Sequence, residues 1–181
     1  MLKMKKMLFL PLLGGLLLTL MGCPYDSKVG LNNYEESIKL DKKFYGDYTY
    51  FKEDGSRDLI QITKGMKQVY NIRQHTVDEN GQKMEYYYHR GFITEVKGVQ
   101  IVNVEKKDGM YNFYKLEWES EDELVLYAVG EDYVKANYEK AGADDTKTLR
   151  AFIETNMEKG LFEEKIVFAR DGTEAAKQLK N

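Results

Sequence analysis

The chain has 181 residues, 27 of them basic and 30 acidic, for a formal charge of −3 at pH 7, with one cysteine and 13% aromatic side chains. That length fits a single domain, the acidic balance argues against nucleic acid and against electrostatic adhesion to anionic lipid, and one cysteine excludes an internal disulfide framework.

At the N-terminus, Lys3, Lys5 and Lys6 precede an apolar run from Met7 to Met21, interrupted only by Pro11, Gly14, Gly15 and Thr19. A basic stretch, a short apolar stretch and a small residue form the layout of a secretory signal. The run is shorter than the roughly 20 residues needed to span a bilayer, so a permanent transmembrane helix is the weaker reading. Leu20-Met21-Gly22-Cys23 resembles the lipobox of bacterial lipoproteins. The resemblance implies that residues 1–22 are a signal peptide, that Cys23 carries diacylglycerol, and that the membrane is held through this N-terminal lipid. It places the protein in the bacterial cell envelope, and Pro24 in place of Asp is compatible with the outer membrane. The alternative is a plain secreted protein with a leftover thiol, a liability in an oxidising compartment. Removing three lysines leaves 24 basic and 30 acidic residues, a net charge of −6. Residues 24–42 show little apolar periodicity, so 23–42 reads as a lipidated cysteine and flexible tether, with an end-to-end distance of roughly 20–25 Å.

From Lys43 onward the strongest signal is a repeated turn. Asp54-Gly55, Lys64-Gly65, Asn80-Gly81, Lys97-Gly98 and Asp108-Gly109 each separate runs rich in Tyr, Phe, Val, Ile and Thr. Glycine supplies the positive φ that tight hairpins require, so the pattern predicts an antiparallel meander with strands near 43–53, 56–63, 66–79, 82–96, 99–107, 110–119 and 123–130. Asp144-Asp145-Thr146 then offers a helix start. Leu149, Phe152, Ile153 and Met157 form an apolar stripe, and Gly160 suits the helix end, which predicts a helix at about 146–158. Residues 161–170 alternate again as an eighth strand, and 171–181 read as a tail. The expected fold class is mainly β: an up-and-down eight-stranded meander over residues 43–170, closed or nearly closed, with one helix before the last strand. Closure removes exposed edges, and an open, bent sheet or two-layer sandwich is the alternative.

Treating Asn80-Gly81 as a two-residue loop sets Asp78 against Lys83, His75 against Tyr86 and His89 against Ile72. The same rule at Asp108-Gly109 sets Val104 against Phe113 and Val99 against Trp118. His75 and His89 then point to opposite faces and cannot share a metal ion without a bulge. There is no HExxH, no GxSxG elbow, no Gly-rich phosphate loop and no second cysteine. The expectation is therefore no enzyme, no metal and no cofactor.

Tyrosine is the surplus: 14 Tyr accompany 8 Phe and 1 Trp. "MEYYYHRGF" must place tyrosines on both faces of its strand. A face carrying Tyr86, Tyr88, Arg73 and His75 is polar and aromatic, suited to an amphipathic ligand because each ring offers apolar area and a hydroxyl. The bland alternative is a tyrosine face that covers a small core with its hydroxyls in water.

In "FYGDYTYF", Gly46-Asp47-Tyr48 resembles the G-x-W opening of the lipocalins and their calycin relatives. The resemblance implies that Tyr48 closes the barrel base and that Arg170, at the end of "KIVFAR", packs across it, with Gly46, Tyr48 and Arg170 as the closure set. The pattern is also similar to uncharacterised Bacteroidetes lipoproteins with lipocalin-like domains. Tyr stands where the family has Trp, and the helix precedes the final strand.

Together these readings lead to an envelope lipoprotein that binds a small amphipathic or hydrophobic ligand in its barrel, with Tyr70, Ile72, His75, Tyr86, Tyr88, Tyr114 and Trp118 as candidate lining. Its alternative is a non-catalytic scaffold that docks another envelope protein through a tyrosine-rich face.

Overall fold

A computed structural model describes residues 23–39, 41–138 and 145–180. The expected signal peptide at 1–22, and Asp144 of the expected helix start, lie outside the described residues.

Eight strands, β1 (Gly46–Phe51), β2 (Arg57–Lys64), β3 (Tyr70–Val77), β4 (Lys83–Val96), β5 (Val99–Glu105), β6 (Tyr111–Trp118), β7 (Glu123–Val129) and β8 (Phe162–Arg170), pair in sequence order as a closed antiparallel barrel. Among the described residues three α-helices accompany it: α1 (Glu131–Asn137), α2 (Thr146–Asn156) and α3 (Glu174–Leu179). The meander, the closure and the helix before the last strand are as the sequence predicts. α1 and α3 are additions to it, α3 falling in the segment read as a tail. Among the described residues no helix is long and apolar enough to cross a membrane.

The turns differ from the expectation in two respects. Lys64-Gly65 is not a turn: the Gly65 N–H donates to the Val69 carbonyl as a rung of the ladder, and the chain reverses at 66–68, where Lys67 has the positive φ of 54°. At Gly55, Gly81 and Gly109 the glycine is left-handed, with φ near 80°, and its N–H donates to the carbonyl three residues back. The ladder closes one residue later, Asp78 N–H to Gln82 C=O for example, so these loops hold three residues rather than two. This is the turn-plus-bulge alternative to the two-residue hairpin. Consequently Lys83 pairs with Val77 across a bulge, not with Asp78, although Thr76 and Glu85 onward keep the expected register, His75 facing Tyr86 and Ile72 facing His89. After Asp108-Gly109 the same extra residue sets Val104 against Asn112 and Asn103 against Phe113, one step from expectation. Lys97-Gly98 is the two-residue turn: both residues have positive φ, and Val96 faces Val99.

The barrel wall separates two cores. Inside lie Tyr48, Ile62, Tyr70, Ile93, Val102, Leu116, Leu124 and Phe168, with Phe44 pushed into one end. Outside, Val96, Ile101, Phe113 and Val129 pack beneath Val134 of α1 and Leu149 and Ile153 of α2. Asp145 caps α2 by accepting from the Thr148 N–H at 2.9 Å, and Arg150 ties the helix to the barrel through the Glu95 carbonyl at 2.7 Å.

The stretch read as a flexible tether is instead laid along this outer wall. Pro24 bridges Gly130 and Ser27 bridges Tyr111. Leu31 is fully buried and its N–H donates to Asn103 Oδ1 at 2.8 Å, Thr94 donates to Asn32 Oδ1 at 2.6 Å, and Ile38 N–H reaches the Ile93 carbonyl. The segment has few apolar residues, but Asn103 and Thr94 on the outer wall satisfy its backbone and side-chain polar groups, which periodicity does not register. It therefore runs from the rim formed by the β5–β6 turn to the opposite end, where Phe44 enters the barrel.

Candidate functional site

The end plugged by Phe44 is sealed by aromatic contacts. The Phe44 ring lies 5.2 Å from that of Tyr70 and 5.4 Å, edge-on, from that of Trp118. The Arg170 guanidinium sits 4.9 Å over the Tyr48 ring. Its Nη2 donates to the Tyr48 hydroxyl at 2.9 Å and to the Lys43 carbonyl at 2.7 Å, while Nη1 donates to the Tyr45 carbonyl at 3.0 Å. Gly46 leaves the space: a Cβ there would stand 2.5 Å from Arg170 Nη1, and its φ of 149° is one that side chains rarely adopt. Gly46, Tyr48 and Arg170 thus meet at one place, where β1 pairs with β8 through only Tyr48↔Arg170 and Thr49↔Ala169. The Asp171 N–H to Asp47 carbonyl bond, at 2.9 Å, extends that short seam.

Above the seal the barrel encloses a cavity of about 210 Å³. Its floor is Phe44, Tyr48, Ile62 and Tyr70, its walls are aliphatic side chains with Phe168, and its upper part carries Asp58, Gln74, His89, Asn112 and Tyr114. Several of these polar groups are already satisfied. Asp58 accepts from Thr76 at 2.8 Å and pairs with Lys52 at 3.0 Å; Asn112 Nδ2 donates to the Tyr25 carbonyl and to Asp26 Oδ1. His89 differs. Its Nδ1 is buried with no hydrogen-bond partner among the described residues, and burial, then the nearby Lys106 charge, hold its pKa below the usual histidine value. That lowering favours the neutral imidazole, which has one donor and one acceptor. The Tyr70 hydroxyl at the floor is also buried, near the Asp41 backbone but without a well-formed hydrogen bond, and burial raises its pKa. Burial pushes the Tyr114 hydroxyl up to about 12, the Asp26 charge adding to it.

Of the candidate lining residues, Tyr70, Ile72 and Tyr114 face this cavity. Trp118 packs on Phe44 at the sealed end, beneath it. His75, Tyr86 and Tyr88 lie on the outer face, where the His75 and Tyr86 rings pack 4.7 Å apart and the Tyr88 hydroxyl donates to Asn71 at 2.8 Å. The reason is parity: Tyr70, Ile72 and Gln74 point inward, so His75 points out, and its partners at 86 and 88 point out with it. The polar-aromatic face of Tyr86, Tyr88, Arg73 and His75 is thus an exterior one. Sequence reasoning passed over His89 as a lining residue, although a signal existed: a register that opposes His89 to Ile72 places the two on one face. Asp58 and Asn112 had no such signal, because nothing in their local pattern separates an inward polar residue from an outward one.

The chain matches no protein-family model, and comparison with curated proteins and with solved structures finds no similar protein.

Proposed function

We propose that this protein is a non-catalytic, lipid-anchored lipoprotein of the bacterial cell envelope whose barrel holds one small, mainly apolar molecule bearing a hydrogen-bonding group. The observation that carries this reading is the cavity within the barrel, with the His89 Nδ1 that has no hydrogen-bond partner among the described residues on its wall. Buried polar atoms are nearly always paired, and an exception inside a cavity marks a place for a ligand group. Size narrows the class: an apolar cavity of about 150 Å³ accepts benzene, so 210 Å³ fits one or two fused rings or a short branched chain. The envelope location and the acyl anchor rest on the lipobox resemblance around Cys23, which is exposed.

The test is native mass spectrometry of the full chain purified in detergent from its own host, followed by identification of any released small molecule. Thermal-shift titration with indole accompanies it. A co-purifying molecule of that size, or saturable stabilisation by indole that His89→Leu weakens, is the expected result. Repeated recovery of an empty barrel that responds to no one-ring or two-ring compound would count against the proposal.

A second reading, an interaction module that docks through tyrosines, has one observation in its favour: Met84, Tyr86 and Tyr88 are 66%, 56% and 45% exposed on one face of β4.

A further inference from the structure

The barrel wall is uneven at its open end. β4 pairs with β3 from Gly91 back to Lys83, but its pairing with β5 stops at Arg90↔Glu105. Residues 83–89 therefore have a strand on one side only. They are not loosely held, because β3 is paired with β2 along its whole length, through Val77↔Arg57. The result is a four-stranded lip, β1-β2-β3-β4, that rises above β5 and ends in an unpaired edge. Among the described residues no backbone hydrogen bond outside the strand ladders reaches residues 83–88. An exposed, regular, aromatic edge is a template for another strand, and monomeric proteins normally blunt such edges with proline, a bulge or inward-pointing charge. Here the bulge lies at the far tip, between Thr76 and Val77, next to Lys83, and the charge on the mouth face, Glu85, is already bonded by the Tyr87 hydroxyl.

We propose that a second copy of this chain pairs with this edge, β4 against β4 and antiparallel, about a twofold axis at Tyr86. The occupant follows from the segment's own sequence, Lys83-Met84-Glu85-Tyr86-Tyr87-Tyr88-His89. A twofold axis at Tyr86 opposes Tyr86 to Tyr86, Met84 to Tyr88 and Glu85 to Tyr87. On the outer face this gives an aromatic pair flanked by two sulfur–aromatic contacts, both favourable. On the mouth face Glu85 meets a tyrosine hydroxyl, a pairing this segment already makes within one chain, where Tyr87 donates to Glu85 Oε2 at 2.6 Å. No like charges are directly opposed in this register. An isologous interface must be self-complementary, and this heptad is. The two lips then form one eight-stranded sheet, β1-β2-β3-β4-β4-β3-β2-β1, and the exposed Met84, Tyr86 and Tyr88 acquire partners. The dimer also sets the two cavity mouths side by side, since Tyr87 shares its face with the cavity-lining His89.

The register makes the test specific. In full chain purified in detergent, Tyr86→Cys crosslinks to itself under mild oxidation or with a short bismaleimide, whereas the parent, carrying only Cys23, and Met66→Cys, on a turn away from the lip, do not. Met84→Cys and Tyr88→Cys, each inefficient alone, crosslink to one another when mixed. Tyr86→Lys, which sets two ammonium groups face to face, converts the sedimenting dimer to monomer while leaving the circular dichroism and Trp118 emission unchanged. A parent chain that sediments as a monomer at every attainable concentration overturns the proposal. So does a dimer that survives Tyr86→Lys, or a Tyr86→Cys that crosslinks only to a different protein. None of these readouts depends on whether the cavity holds a ligand.

Discussion

Arg170 Nη2 and the Tyr48 hydroxyl lie 2.9 Å apart across the seam where the last strand meets the first, with the guanidinium stacked over the same ring. The brace shares that seam with only two paired positions of each strand. Arg170→Lys keeps the charge but not the fork that reaches Lys43, Tyr45 and Tyr48 together, and should cost about 1–2 kcal/mol. Gly46→Ala should cost more, roughly 3–4 kcal/mol, because it adds backbone strain and drives the guanidinium off its acceptors. Denaturant unfolding followed by the single tryptophan reads both, and equal losses for the two variants would argue against the crowding described at Gly46.

The buried His89, its pKa lowered by burial, gives the fold a sensitivity to acid. A histidine whose folded pKa is depressed costs stability as pH falls through its unfolded value of about 6.5, because only the unfolded chain then takes up the proton readily. Stability should therefore be full above pH 7 and decline towards pH 5. His89→Leu should flatten that part of the curve. Urea midpoints measured across this range test the sign, and a steeper decline in the variant would refute it.

At the alkaline end the sign reverses in origin. Burial raises the tyrosine pKa at Tyr48, Tyr70 and Tyr114 above the ordinary value of 10.0. The folded barrel resists their ionisation, so stability should fall as pH climbs past 10, with part of the phenolate absorbance appearing only on unfolding. Ultraviolet titration of folded and denatured protein measures this directly.

Filling the cavity should separate binding from folding. Val104→Phe places a ring in the existing space and should leave stability within about 1.5 kcal/mol of the parent, since the site already holds a void. Indole binding should weaken by about tenfold or more, a loss near 1.4 kcal/mol. Indole should also gain on its hydrocarbon analogue indene in the parent and lose that advantage in His89→Leu, as calorimetry would show.

Asn103 is fully buried on the outer wall, donating to Thr94 at 2.9 Å and accepting from Leu31 N–H. Asn103→Ala leaves the Leu31 N–H without its acceptor and Thr94 without its donor beneath the N-terminal segment and should cost roughly 2–4 kcal/mol. The segment over residues 24–38 should become the first site of limited proteolysis, while the barrel itself resists.

Much of this architecture is legible in the sequence because strand length and alternation are local properties. The turn glycines, the run of Val, Ile and Tyr and the capping Asp145 each act on near neighbours, and they locate eight strands to within a few residues. The failures are of two kinds, short local features such as loop length and the helices α1 and α3, and partners distant in the chain. Counting one residue too few at Asp108-Gly109 moves Val104 from Asn112 to Phe113, and no local pattern distinguishes the two loop lengths. Tyr86 and Tyr88 look like a binding face because aromatic richness is visible, whereas the wall to which β4 belongs at that height is set by where β5 ends. The segment before Lys42 reads as unstructured because Asn32, Leu31 and Ser27 find their partners 60 to 85 residues away.

That segment also fixes a distance. A coil of this length leaves a barrel to wander, but a strap bonded from Tyr25 to Ile38 has no slack to give. Cys23, whose carbonyl accepts from Glu131 N–H at 3.0 Å, stands at the rim of the open end, beside the β7 terminus. Whatever surface takes hold of Cys23 becomes the surface the cavity mouth looks onto, and a molecule leaving one for the other crosses little water.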